Sequence, residues 1–475
     1  MDPNLPPVVQ VNPVAVPASP AGGPVQTPAP VVPPPAKKGF PVTIIIILIV
    51  LILGGGLAYF FGKELLGKVT GNQTVELTYW GLWEDDSTIN SLISDYEAKN
   101  PNVKIKYVRQ SQQDYRERLT NAFAKGQAPD IFRFHNSWVP MFKDYLDSMP
   151  ATVMNAAEFS QTYYPVASSD LTSGTGIVGI PMEYDGLTLF INEDLFAKAG
   201  ATPPMTWDEL RTLAKELTIK DDQGTITQAG VALGRTENVD NWQDILALMM
   251  IQNGVDLNNP TGQLAEDALT YFTVFSTVDG VWDATLPPST TAFASGKLAM
   301  YFAPSWRVFE IKQQNPDLKF RAVPLPQLPK SNPNDPDVSY ASYWAEGVWS
   351  GSSSKNKAAA WDFLKFLSTD DSLQKLYKNA SAVRLFGEPY PKVSMASTIS
   401  TDTYIGPLIS QAPYAKSWYL DSMTWDGPTG INSLMSKYFE DAINAVNSGT
   451  TANAALTTAA AGVTQVLQQY NLIGK

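Results

Sequence analysis

The chain is predicted to fold as an α/β protein of two lobes. Two observations predict it: strand-period and helix-period apolar patterns alternate along the sequence, and about 400 residues follow its one long apolar run, more than a single core usually supports. Val75, Leu77 and Tyr79 alternate with polar neighbours and read as a strand ending at Trp80 and Gly81. Ile89, Leu92, Ile93 and Tyr96 then fall at helical spacing, and Val103, Ile105 and Tyr107 alternate again. A helix over Tyr115 to Lys125 leads into a strand from Asp130 to Phe134. Repeating βα units imply a largely parallel sheet with helices on its faces, whose ligands sit beyond the C-terminal strand ends.

The same grammar continues. Thr206 followed by Glu209 is a capping box opening an amphipathic helix through Leu210, Leu213 and Leu217. Residues 242 to 253 and 263 to 278 read as helices, Ala292 to Phe302 as a short helix running into a strand, and 355 to 367, 430 to 447 and 452 to 470 as helices again. The Pro-rich stretch from 324 to 338 reads as a crossing or surface loop. Two acid-rich spots, 220 to 224 and 332 to 337, lack the twelve-residue spacing and terminal glutamate of a calcium loop and read as a hairpin turn and a loop, so no metal site is expected.

Residues 1 to 39 hold 12 of the 36 prolines and no aromatic residue, too little apolar surface to offset chain entropy. They are expected to form a disordered, partly polyproline II tail, either without a binding role or offering a Pro-rich ligand to an aromatic-grooved partner. Residues 40 to 61 are an uncharged run of 22 residues. As a helix it spans ~33 Å, enough for a bilayer core of ~30 Å. Lys37 and Lys38 precede it, and Lys63, Glu64 and Lys68 follow with one net positive charge, which favours a cytoplasmic N-terminus and an exported C-terminal part. A cleaved signal peptide is the competing reading; the run is too long for one, and no Ala-x-Ala-like site follows Gly54, Gly55 and Gly56. Residues 62 to 73 make a linker of at most ~40 Å, so the domain from 74 to 475 is expected to work close to the membrane.

Setting aside Lys37, Lys38, Lys63, Lys68, Asp2 and Glu64, the remainder carries 30 basic and 44 acidic residues, a net charge of −14. That field repels phosphate backbones, so nucleic acid is not an expected ligand. With no cysteine and one histidine, zinc sites built from Cys and His, thiol nucleophiles and two-histidine mechanisms are excluded, and no cofactor is expected.

Five fragments in order carry a family resemblance: YEAKNPNVKIKY, ERLTNAFAKGQAPDIF, GIPMEYDGLTLFINEDLFAKAG with PPMTWDEL, AFASGKLAMYFAPSW, and WDFLKFLST. Residues 74 to 475 resemble the family 1 extracellular solute-binding proteins, the maltose-binding-protein-like receptors of ABC importers. The chain departs from their usual pattern in having no lipidated cysteine. The resemblance implies a two-lobed, periplasmic-binding-protein-like fold with hinge crossovers, closing on a ligand. Lobe one would comprise about 74 to 185 plus 330 to 385, and lobe two about 189 to 323 plus 392 to 475. The hinge segments would lie near Asp185 to Leu189, Pro324 to Pro329 and Arg384 to Lys392.

Twelve tryptophans and twenty tyrosines suit a carbohydrate cleft, since sugar rings present C–H faces to aromatic rings and hydroxyls to polar side chains. Trp361 and Trp207, embedded in amphipathic helices, are expected in the core. Trp306 follows a strand and a proline where the resemblance puts a ring-stacking aromatic, and Arg307 beside it pairs either a sugar hydroxyl or a surface carboxylate. Trp83, Glu84 and Asp85 sit at the end of the first strand, facing a cleft; Asp85 and Asp86 read equally as helix caps. Asp185 is either a polar ligand contact or a hinge turn before Gly186. Asn136 lies at another strand end, and His135 reads as a hydrogen-bonded structural residue. By resemblance Trp242 and Asp244 begin a cleft-side helix, and Trp344, Trp418, Tyr419 and Trp425 complete an aromatic ring.

The expected function is a membrane-tethered receptor delivering a sugar or oligosaccharide to an ABC permease. The rivals are a glycoside hydrolase, with Glu84 and Asp185 as its carboxylates, and a sensor or adhesion ectodomain.

Overall fold

The computed structural model describes residues 74–474 except 175, 331 and 333. The expected tail, membrane helix at 40 to 61 and linker lie outside the described residues. Among the described residues, no helix is long and apolar enough to cross a membrane.

Two five-stranded sheets organise the chain. The first runs in the order Val103–Arg109, Val75–Gly81, Ile131–His135, Trp344–Val348, Ile180–Pro181. Its first three strands are parallel, as βα units require, and Trp344–Val348 is antiparallel to Ile131–His135. The second runs Phe320–Val323, Leu187–Asn192, Leu298–Pro304, Ile226–Val231, Ile219–Lys220. Here the expectation of a largely parallel sheet is corrected: Leu187–Asn192 is antiparallel to both of its neighbours, and only Leu298–Pro304 and Ile226–Val231 pair in parallel. The cause is connectivity. Leu187–Asn192 and Trp344–Val348 each enter their sheet from a segment arriving from the other one, so each starts at the facing end and points away from it. The βα strands do the reverse.

Helices cover the sheets where the apolar spacing places them. Asp86–Lys99 buries Ile89, Leu92, Ile93 and Tyr96 against the first sheet, joined there by Ser354–Leu367 and Asp370–Ser381. Asp85 occupies the cap position of Asp86–Lys99, but its carboxylate pairs with Arg109 rather than with the helix N–H groups. In the second lobe Trp207–Glu216 opens on the expected capping box, with Thr206 Oγ1 accepting from Glu209 N–H and Glu209 Oε2 accepting from Thr206 N–H, both at 3.2 Å. Trp242–Gln252, Gln263–Thr277, Ile431–Asn447 and Ala452–Gln469 pack together on this side. The acid-rich spot at 220 to 224 is a hairpin tip, where Asp221 Oδ1 accepts from Gln223 and Thr225 N–H, each at 2.9 Å.

Three segments cross between the sheets: one after Ile180–Pro181, one after Phe320–Val323, and one after Asp370–Ser381. Backbone bonds tie them together. Tyr184 N–H donates to Pro389 O at 2.9 Å, Ser342 N–H donates to Asp185 O at 3.1 Å, and Gly186 bridges Ala341. Gly186 has no room for a side chain, since a Cβ there would stand 2.2 Å from Tyr340 O.

Candidate binding site

The ends of the βα strands face one another across a cavity of about 390 Å³. From the first sheet come Trp83, after Val75–Gly81; His135, ending Ile131–His135; and Trp344, starting Trp344–Val348. From the second come Ser305 and Trp306 after Leu298–Pro304. Asp244 of Trp242–Gln252 and the stretch from Ser422 to Trp425 close one wall, and Glu183, Asp185, Arg384 and Glu388 of the crossings form the hinge side.

The aromatic platforms are held from behind. Trp83 and Trp344 meet edge to face at 5.3 Å, and Trp344 also touches His135 and Trp138. Beneath Trp83 the guanidinium of Arg133 stands 4.7 Å from the ring centroid. Arg133 is buried and paired with Glu346 at 2.7 Å and Glu84 at 2.5 Å, while Tyr79 donates to Glu346 at 2.9 Å. On the opposite side the guanidinium of Arg307 stacks on Trp306 at 4.4 Å and is held by Glu310 at 2.5 Å. Trp306 is 37% exposed and Trp425 40%, so both rings keep a free face. Trp425 and Met423 adopt left-handed backbone conformations, φ 54° each, a strain that non-glycine residues rarely carry.

The polar groups are shaped by burial. His135 is pushed down to about 3 by burial and is neutral. Its Nδ1 accepts from Ser137 N–H, which leaves the ring proton on Nε2 to donate to Ser342 Oγ at 3.0 Å. Burial raises Asp185 to about 7 and Asp244 to about 6, against the hydrogen bonds each receives. Glu183 is raised further, by burial and by the charge of Glu388; Glu388 stays ionised because Arg384 pairs with it at 2.5 Å and offsets its burial. Carboxyl groups held near neutrality can both donate to and accept from hydroxyls without a large fixed charge.

Of the thirteen residues expected to face the cleft, six share this cavity: Trp83, Asp185, Asp244, Trp306, Trp344 and Trp425. Seven do not line it, among them Asp85, which pairs with Arg109 at the surface. Glu84 turns inward to Arg133, because a buried guanidinium needs its charge balanced. Arg307 lies behind the Trp306 ring, and Trp242 is buried beneath the helix start. Asn136 opens instead onto a second cavity of about 420 Å³ shared with Trp418 and Tyr419, where its side chain donates to Asp170 at 2.9 Å. The hydrolase arrangement is not assembled either: Glu84 is ion-paired, and Asp185 accepts hydrogen bonds from Ser305. Sequence reasoning missed Glu183, Arg384 and Glu388, which it placed in or beside hinge segments without a site role, and also Phe309, Phe386 and Met423.

Two α/β lobes joined by three crossings, with strand ends and aromatic rings converging on a cleft, define a two-lobed ligand-binding fold. Residues 80–374 match the family model of the bacterial extracellular solute-binding proteins, and the chain belongs to that family. It is 23% identical over 294 residues to a putative binding protein of Brucella abortus, covering 60% of this chain and 69% of that protein. It is 21% identical over 299 residues to the maltotriose-binding protein of Pyrococcus abyssi, covering 60% of each. Among solved structures, the sugar-binding protein MalE from Xanthomonas citri superposes with a TM-score of 0.67 at 18% identity, covering 84% of this chain and 98% of that one.

Proposed function

We propose that this chain is an extracytoplasmic receptor that captures a neutral ligand, a sugar or oligosaccharide, by hinge closure and delivers it to the permease of an ABC transporter. The observation that carries this reading is the cavity of about 390 Å³ faced by Trp83 and Trp344 on one side and Trp306 and Trp425 on the other. Indole faces suit the C–H faces of sugar rings, and the Asp244 carboxyl beside them, raised toward neutrality by burial, suits hydroxyls. The likeness to proteins named for maltotriose and sugar binding supports the same class. The lobes divide near residues 185 to 189, 324 to 330 and 385 to 392, where the chain crosses between sheets. The apolar run at 40 to 61 tethers the receptor, with Lys37 and Lys38 keeping the N-terminus in the cytoplasm.

Incubation with a glycan panel followed by native mass spectrometry tests the reading. A one-to-one complex with an intact oligosaccharide is expected. Shortened glycan products would overturn it in favour of an enzyme. For the tether, protease added to intact cells should digest the binding domain from outside; a domain left intact until the cells are lysed would refute the proposed topology.

A further inference from the structure

Asp185 lines the cavity, yet its side chain is engaged by the protein. Oδ1 accepts from Gly186 N–H at 2.7 Å and from Ser305 N–H at 3.0 Å, and Oδ2 accepts from the Ser305 hydroxyl at 2.8 Å. Its own carbonyl accepts from Ser342 N–H at 3.1 Å. A carboxylate offers about four lone-pair sites, so three are already spent. Ser305 is buried at the turn between Leu298–Pro304 and Arg307–Gln314, and its carbonyl accepts from Val308 N–H at 3.1 Å to start that helix. Trp306 is the next residue. Both Ser305 donors are therefore fixed by the side chain of a residue 120 positions earlier, which belongs to the first crossing and whose backbone carbonyl is bonded to the second.

We infer that Asp185 is a positioning residue that sets the orientation of the Trp306 ring relative to the hinge, acting through Ser305 rather than by contact with the ligand. The Asp185 latch anchors the turn carrying Trp306, and Arg307, held by Glu310, backs the ring from within the lobe. Because Asp185 sits in a crossing, rotation there is transmitted to the turn carrying the ring. The inference rests on the receptor reading only in calling that ring a ligand platform; the latch itself is a property of the free protein.

The test uses the full chain, labelled with 5-fluorotryptophan and observed by fluorine NMR without ligand, the Trp306 resonance being assigned from Trp306→Phe. Asp185→Ala is expected to shift or broaden the Trp306 resonance while those of Trp361 and Trp207 stay in place, and to speed exchange of the Ser305 amide roughly fivefold to tenfold. Asp185→Asn should restore the wild-type signal, since its carbonyl still accepts from both N–H groups and its amide can donate to the Ser305 hydroxyl. If Asp185→Ala does not fold, Ser305→Ala, which removes only the hydroxyl donor, should move the same resonance to a smaller extent. A Trp306 resonance unmoved in a folded Asp185→Ala or Ser305→Ala protein overturns the inference. So does an Asp185→Asn variant that behaves like Asp185→Ala. No ligand enters these measurements, so their failure is distinct from a failure of the receptor reading.

Discussion

Trp306 and Trp361 carry the same indole ring to opposite ends. Trp361 is fully buried and donates Nε1–H to Asp147 at 2.9 Å, whereas Trp306 is 37% exposed over the cavity. Trp361→Ala should therefore cost ~3 to 5 kcal/mol of stability, read from the denaturant midpoint. Trp306→Ala should leave that midpoint nearly in place and weaken oligosaccharide binding about 30-fold, or ~2 kcal/mol. Normal binding together with early unfolding in Trp306→Ala would remove Trp306 from the site. Asp244 gives a pH test. Burial raises it from 3.8 to about 6, so the folded state holds its proton more tightly than the unfolded chain does. Its contribution is then full below pH ~4 and is lost as the pH rises through about 6. Asp244→Asn should gain stability relative to wild type across that window, by at most about 3 kcal/mol, and parallel stability curves would count against it. The opposite trend expected of neutral His135 is common to both proteins and cancels in the difference. At this scale a strand end pointed to Trp83, the family resemblance to Trp306 and the expected aromatic ring to Trp344, and all three line the cavity. The sequence could not show that Glu84 turns away, because the partner that turns it, Arg133, lies 49 residues on inside an apolar strand, and the other carboxylate, Glu346, lies 213 beyond that.

Elements were legible wherever periodicity and capping agree locally. Thr206 and Glu209 mark the start of Trp207–Glu216, and of the apolar face read from the spacing Leu210 and Leu217 are buried while Leu213 is half-buried. What local patterns do not carry is strand direction. Leu187–Asn192 reads as any buried strand; only its arrival from the first lobe makes it antiparallel to both neighbours. Close packing between elements is equally silent in the sequence. Gly230, in Ile226–Val231, lies so near the Trp207–Glu216 helix that a Cβ would stand 2.0 Å from Ala214 O, and its N–H donates to Thr218 Oγ1 at 3.0 Å. Gly230→Ala must push helix from sheet, and overpacking of this kind costs ~1 to 3 kcal/mol. Chemical denaturation should register that loss. A midpoint equal to wild type would mean that the helix can shift without penalty.

For the whole molecule, the three crossings make relative rotation of the lobes the motion that the architecture permits, and the cavity lies where that motion opens or closes. The crossings are bonded to one another at Tyr184 with Pro389 and at Asp185 with Ser342, so they should bend as one hinge rather than as three independent linkers. A ligand held between Trp83 and Trp306 touches both lobes, and it favours the closed arrangement by as much as its affinity for that state exceeds its affinity for the open one. Saturating oligosaccharide should therefore reduce the radius of gyration of the binding domain in solution scattering. It should also raise the melting temperature with concentration, by about 2.7 kcal/mol of added stability at a hundredfold excess over the dissociation constant. Trp306→Ala should need about 30-fold more ligand for the same compaction, since the ring adds to affinity without forming part of the hinge. A melting temperature that rises with ligand while the scattering curve stays unchanged would show binding without closure. The site would then be preformed, and the bonded crossings would act as a rigid spacer between the lobes.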